Sequence, residues 1–294
     1  MKTRLAARHL SRISRVVSDL DRAEVFYRDA LKFHAVARGR VDPRILAALG
    51  CEIAADEVVM RLGREEITLV RFAVPGQPYP PNSRSNDLWF QHLAIVVADM
   101  DAAYVYLSAH PGWQPISESG PQLLPPSNGA VRAFKFRDPD GHPLELIWFP
   151  PGQGRPVWQE HSRPEAASAP FLGIDHTALA VGSTARSLRF YRGLGLHVAD
   201  RSLNHGAAQS RLDGLADDWV RVSGLRPEAA SGPGIELLGY LPPGRPAKHA
   251  RMEDIATDWT TLVVPKLPCD RPCALRDPDG HVLVLMEQAA SAPA

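Results

Sequence analysis

Four residues with chemical capacity interrupt otherwise apolar stretches. His92 sits in Gln91-His92-Leu93-Ala94-Ile95-Val96-Val97, and His176 in Ile174-Asp175-His176-Thr177-Ala178-Leu179-Ala180-Val181. Glu145 interrupts the run at 144–149, and Glu236 interrupts Ile235-Glu236-Leu237-Leu238-Gly239-Tyr240. A carboxylate in such a strand is costly unless a cation meets it, or unless the strand lies at an edge and the side chain faces water. A single histidine on an apolar strand is most often a satisfied core residue. Two unrelated stretches with the same His and Glu placement favour a ligand set instead. Imidazole nitrogen and carboxylate oxygen on neighbouring strands can point into one concave face, where together they suit Zn, Ni, Co, Mn or non-haem Fe.

The elements that must position these residues are repeated. Arg137-Asp138-Pro139-Asp140-Gly141-His142-Pro143-Leu144-Glu145-Leu146 recurs as Arg276-Asp277-Pro278-Asp279-Gly280-His281-Val282-Leu283-Val284-Leu285. Asp138-Pro139-Asp140-Gly141 is a turn: Pro139 presets φ, and Gly141 supplies the positive φ that closes a hairpin. A second repeat links Phe26-Tyr27-Arg28, leading into Leu31-Lys32-Phe33-His34, with Phe190-Tyr191-Arg192, leading into Leu194-Gly195-Leu196-His197. Each copy follows an apolar strand and an amphipathic helix. Such repeats are units that pack on one another.

The spacing predicts four units of strand–helix–strand–strand–strand. The first spans roughly 8–74, with a helix capped by Asp19; the second spans 87–150, with a helix capped by Asp99. In its opening strand Phe90, His92, Ala94 and Val96 share one face. The third spans 171–242 and the fourth about 253–288, the last without a clear helix signal. Residues 151–170, rich in Pro, Gly, Ser and Ala, read as a linker between modules at 1–150 and 171–294.

Composition places the chain among globular proteins: 294 residues, 45% hydrophobic and 22% charged, with 33 basic and 33 acidic residues. Zero net charge suggests no nucleic-acid or anionic-membrane partner. The N-terminal segment lacks the apolar core of a signal peptide, and no run is long enough to span a membrane. Three cysteines, Cys51, Cys269 and Cys273, fit a reducing, cytoplasmic setting. Pro-Cys-Asp-Arg-Pro-Cys at 268–273 has no second cysteine pair elsewhere, so free thiols are expected there rather than zinc.

Aligned by position, the opening strands present Arg12, His92, His176 and Trp259, and the closing strands Thr68, Glu145, Glu236 and Val284; Glu66 lies two residues from Thr68 on the same face. The two Asp-Pro-Asp-Gly-His hairpins, the Phe-Tyr-Arg helix ends and the strands around His92 and His176 together resemble the vicinal oxygen chelate superfamily. That group includes glyoxalases, methylmalonyl-CoA epimerases, extradiol dioxygenases and antibiotic-resistance proteins such as bleomycin-resistance proteins. The resemblance covers nearly the whole chain outside the linker and termini. It implies an α+β fold in which four βαβββ units form two cupped mixed sheets around a divalent metal. It also implies a complete set, His92, Glu145, His176 and Glu236, if units two and three pair, within the chain or across a homodimer. That set is similar to bacterial-type glyoxalase I. Units one and four would then form a metal-free pseudo-site containing Arg12 and Trp259.

The resemblance further implies Lewis-acid lyase or isomerase chemistry on a small vicinal-oxygen substrate through an enediolate, with Glu145 or Glu236 as base. An extradiol ring-cleaving dioxygenase using Fe(II) is the alternative. However, the fourth unit holds Trp259 and Val284 where that family has its ligands, and no tyrosine precedes its hairpin. A non-catalytic drug-binding protein is the remaining alternative. Within 204–211, Asn204, His205 and Arg211 are candidate substrate contacts in what reads mostly as a solvated loop. Ser127-Asn128-Gly129 reads as a turn, and His142 and His281 as structural residues bonding the turn backbone.

Overall fold

The computed structural model describes residues 5–159, 170–228, 232–246, 250–267 and 271–288. The first unit contains β1 (His9–Val16), α1 (Leu20–Leu31), β2 (His34–Arg40), α2 (Pro43–Ala48), β3 (Ala55–Leu62) and β4 (Glu65–Phe72). The second contains β5 (Gln91–Val97), α3 (Met100–Ser108), the short β6 (Gln114–Pro115) and β7 (Gln122–Leu123), then β8 (Arg132–Arg137) and β9 (Pro143–Trp148). A one-turn helix, α4 (Pro156–Gln159), precedes the third unit: β10 (Phe171–Ala180), α5 (Thr184–Gly193), β11 (Leu196–His205), α6 (Ala207–Asp213), β12 (Trp219–Pro227) and β13 (Gly234–Leu241). The fourth has only β14 (Trp259–Val264), β15 (Cys273–Arg276) and β16 (Val282–Glu287), with no helix among its described residues.

This is an α+β fold of two mixed sheets. One has seven strands in the order β15-β16-β14-β1-β4-β3-β2. The other has nine strands, β11-β12-β13-β10-β5-β9-β8-β6 with β7 beside β8. Units one and four therefore build the first sheet and units two and three the second. The inner units pair within one chain, through the antiparallel seam β5–β10. Asp19 and Asp99 cap α1 and α3 as their positions predict, their side chains accepting the Arg22 and Ala102 amides. A large apolar core joins both sheets, drawing Leu93, Ile95 and Val97 from β5, whereas Ala94 and Val96 face the other way. That is the period-two alternation of a strand buried on both sides.

The two sequence repeats meet in space. Gly141 and Gly280 adopt φ of 94° and 103°, closing the two hairpins. The Tyr27 hydroxyl donates to Asp138 at 3.1 Å and the Tyr191 hydroxyl to Asp277 at 3.2 Å, so each Phe-Tyr-Arg helix end is bonded to an Asp-Pro-Asp-Gly turn on the other sheet. Asp140 accepts from the Ser18 amide, and Asp279 from the Gly182 amide. The hairpin histidines also reach across rather than bonding their own turns through the ring alone. His142 Nε2 lies 2.9 Å from the Ile255 carbonyl, and His281 Nε2 3.0 Å from the Ala180 carbonyl. A buried carbonyl needs a donor, and each imidazole stands within hydrogen-bond reach of one. Cys51 is buried, Cys273 begins β15, and Cys269 lies outside the described residues.

Candidate metal centre

In the parallel pair β5–β9, Glu145 stands opposite Ala94, two residues beyond His92; in β10–β13, Glu236 stands opposite Ala178, two residues beyond His176. The first sheet keeps the same offset, with Thr68 opposite Ser14 and Val284 opposite Thr261, two residues beyond Arg12 and Trp259. Across the seam His92 pairs with Ala178 and His176 with Ala94. Alternation then points both imidazoles and both carboxylates to the same concave face.

His92 Nε2 lies 3.3 Å from Glu145 Oε2, and His176 Nε2 lies 3.9 Å from the same oxygen and 3.5 Å from Glu236 Oε2. His92, Glu145 and His176 each offer a ligand atom within 4.8 Å of the others. Two ligands at right angles around an ion with bonds of roughly 2.1 Å stand about 3 Å apart. The observed spacing is slightly wider than that. The buried Nε2 atoms of both histidines have no hydrogen-bond partner among the described residues, although a carboxylate is close to each. Lone pairs aimed at a shared point rather than at each other describe a ligand cluster, so the residues fit a divalent ion.

Asp175 sets the tautomer of His176. Its Oδ2 lies 3.1 Å from Nδ1, so Nδ1 carries a proton, and Nε2 is the nitrogen turned toward the cluster, free to coordinate once a bound cation displaces its proton. Trp158 donates to Asp175 at 2.7 Å and Arg226 at 3.2 Å. Burial opposes ionisation of Asp175, but His176, Arg226 and Trp158 hold its carboxyl well below the usual range.

The two glutamates differ. Burial would raise both. At Glu145, His92, Lys135 and His176 overcome burial and hold it down at about 2. Glu236 stays up at about 7 because burial outweighs its attraction to His176. Burial pushes His92 down to about 4, whereas at His176 the Glu236, Asp175 and Glu145 carboxylates overcome burial and hold it up at about 9.

The cluster lines a cavity of about 590 Å³. Lys135 stands directly opposite Glu145 in β8–β9 and shares that cavity, its ammonium 2.5 Å from the buried Asp213. Asn204, Gln209 and Tyr240 also line it. His205 and Arg211 are not among its lining residues. His205 stacks on Trp219 with centroids 4.1 Å apart, and Arg211 donates to Gln122 at 2.8 Å. The stretch that reads as a solvated loop is the end of β11 followed by α6, and Asn204 and Gln209 are buried. A short 3-10 turn, Pro126–Asn128, and the following Gly129 bring Ser127, Asn128 and Gly129 to the cavity edge.

A family model described as the Glyoxalase/Bleomycin resistance protein/Dioxygenase superfamily matches residues 9–146 and 173–256. The chain belongs to this superfamily. Its fold is similar to that of glyoxalase I from Zea mays, with TM-score 0.60 and 14% identity over 95% of this chain and 92% of that one. A putative dioxygenase from Bacillus subtilis is similar at TM-score 0.56 and 14% identity, over 96% of this chain and 86% of that one. No curated protein matches the sequence.

Among the described residues the first sheet holds no such cluster. Arg12 turns to Glu66 at 3.2 Å, Glu66 also takes Arg61, and Trp259 is buried with Val16, Val70, Phe72 and Val284 under Leu46 of α2. In the first sheet an indole thus belongs to an apolar cluster, whereas the matching histidine positions of the second sheet line a polar cavity. Sequence reasoning missed Lys135 and Asp175, which carried signals: a lysine alternating with Phe134 and Phe136 opposite Glu145, and an aspartate beside His176. Arg155, which lines the cavity from what reads as linker, carried none. No helix among the described residues is long and apolar enough to cross a membrane.

Proposed function

We propose that this superfamily member is a divalent-metal-dependent enzyme with lyase or isomerase activity on a small molecule bearing two adjacent oxygens. The observation that supports this is the convergence of His92, Glu145, His176 and Glu236, drawn from two different units, on one buried point beside a cavity. A divalent ion held there supplies Lewis acidity to the substrate's vicinal oxygens.

The chain's own residues do the rest. His92, Glu145 and His176 form the tight group, and Asp175 keeps the His176 lone pair turned inward. Glu236 is the more accessible carboxylate, its side chain 22% exposed against 7% for Glu145. It is therefore the group placed to take a proton from the carbon beside the substrate oxygens. Lys135 adds a fixed positive charge next to the carboxylates, favouring their ionised forms.

The test uses tag-free protein. Elemental analysis gives about one divalent ion per chain, lost in Glu145→Gln. Deuterium uptake from D₂O at the carbon of hydroxyacetone is followed by NMR; Glu236→Gln slows it by about 10²–10⁴-fold while retaining metal. Absence of a stoichiometric ion in the wild type overturns the metal reading and favours a small-molecule binding protein.

One observation favours a second reading. The tight group is two imidazoles and one carboxylate, the donor set that also suits non-haem Fe(II). Oxygen consumption with catechols by the Fe(II)-loaded protein, with no proton exchange, identifies the dioxygenase.

A further inference from the structure

One wall of the cavity carries a cation with no hydrogen-bonded carboxylate among the described residues. Arg155 lies between Gly154 and the start of α4, lines the cavity, and rests over the Trp158 ring with 5.0 Å between guanidinium and centroid. Its Nη1 is buried and has no hydrogen-bond partner among the described residues. The nearby acids are committed elsewhere. Asp175 accepts from Trp158, His176 and Arg226. Glu65 accepts from the Ile174 and Arg64 amides. Arg226, the second cation here, is held by Asp175 and the Gly232 carbonyl.

A half-buried guanidinium with an unsatisfied nitrogen is costly unless an anion meets it. The protein has gone some way to hold this one in place, by stacking it on an indole that is itself bonded to Asp175. Burial works against the charge on Arg155; the Asp175 and Glu65 carboxylates offset it only in part, and Arg226 adds to the penalty. The same Asp175 orients His176, so the cationic wall and the metal cluster share a supporting residue.

We infer that Arg155 receives a carboxylate of the substrate, so that the enzyme acts on compounds carrying vicinal oxygens at one end and a carboxylate at the other. This rests on the metal-centre reading for the vicinal oxygens but not for the carboxylate. A planar guanidinium matches a carboxylate with two parallel hydrogen bonds, and such charge-assisted pairs are the strong ones. The stacked indole keeps the fork from rotating, so little freedom is lost on binding. Asn204 Oδ1 and Gln209 Oε1, both buried at the cavity without partners among the described residues, are acceptors and suit hydroxyl groups between the two ends.

The experiment has two arms. In the first, metal-loaded protein is titrated calorimetrically with α-ketoglutarate and with α-ketopentanoate, which differ only by the distal carboxylate. The dicarboxylate binds about ten- to a hundredfold more tightly, the range for one charge-assisted hydrogen bond. Arg155→Met abolishes that preference without changing metal content, and Arg155→Lys restores part of it. In the second arm, metal-stripped protein is titrated with glutarate while tryptophan emission is followed. The wild type responds, and Trp158→Phe and Arg155→Met do not. Failure of metal loading with a retained glutarate response sinks the metal centre and spares the anion arm. Equal binding of the two keto acids by wild type, or an unchanged preference in Arg155→Met, overturns the inference. Tighter binding of an analogue with a distal phosphonate overturns the carboxylate assignment. Glu160 and Glu165 lie outside the described residues. Replacing both with Gln leaves the preference intact on this reading; a preference that appears only in that variant means they occupy the guanidinium themselves.

Discussion

Asp175 Oδ2 stands 3.1 Å from His176 Nδ1, and the same carboxylate accepts from Trp158 on Oδ1 and from Arg226 on both oxygens. A carboxylate behind a ligand histidine fixes the ring and raises its basicity, and losing such a partner typically costs about 10–100-fold in metal affinity. Asp175→Asn keeps the shape and removes the charge. We expect metal affinity, measured by competition with a chromophoric chelator, to fall by about that factor. An unchanged affinity would mean that Asp175 serves packing alone.

Metal binding should appear as stability. An ion that binds only the folded chain adds about 2.7 kcal/mol when free metal is a hundredfold above its dissociation constant. Thermal scans with and without metal should show this shift in the wild type and in Arg12→Ala. His92→Ala should lose it. Arg12 occupies the matching position in the first sheet, so equal loss in both variants would place the ion elsewhere.

The cross-sheet phenol–carboxylate pairs should not be equal. Tyr191→Phe removes one buried hydrogen bond to Asp277 and should cost about 1–2 kcal/mol. Tyr27→Phe removes the bond to Asp138 and also the acceptor of Arg15 Nη1 at 3.2 Å, in a guanidinium that is fully buried. Its cost, read from chemical denaturation, should be larger by about 1 kcal/mol or more. Equal costs would show that Arg15 is satisfied by the Pro143 carbonyl and Asp258 alone.

Stability should have two pH limits from one buried network. Burial works against the Asp138 carboxylate, but His142 and Arg15 hold its carboxyl at about 2, below its ordinary 3.8. That stabilisation is complete above pH 3.8 and is lost as pH falls toward 2. Burial also works against charged His142, but Asp138 and Asp258 raise it above its ordinary 6.5. Its stabilisation is complete below pH 6.5 and is lost as pH rises through the raised value. Denaturation midpoints followed from acid to alkaline pH should therefore form a plateau with a falling limb on each side. His142→Gln should flatten the alkaline limb; an unaltered limb in that variant assigns it to another group.

Much was legible in the sequence because it is local. Asp138-Pro139-Asp140-Gly141 specifies a turn through the allowed φ of two residues, Asp19 and Asp99 cap helices with their own oxygens, and alternation in β5 and β10 puts His92 and His176 on a defined face. The repeats extended this to the His and Glu offsets, which recur in the observed register of all four units. Which units share a sheet was open, because β5 and β10 are apolar on both sides and a strand carries no local mark of its neighbour; only the backbone ladder between Ile174 and Ile95 decided it. The same holds for α6, whose Ala207–Asp213 residues form a short helix against β7, β8 and β11 and bury Gln209 beside the cavity. It holds also for His142 and Arg155, whose partners or lack of them depend on side chains more than a hundred residues away or on the cavity wall. Local stereochemistry determined the strands, turns and facing of the ligands; long-range packing decided where they converge.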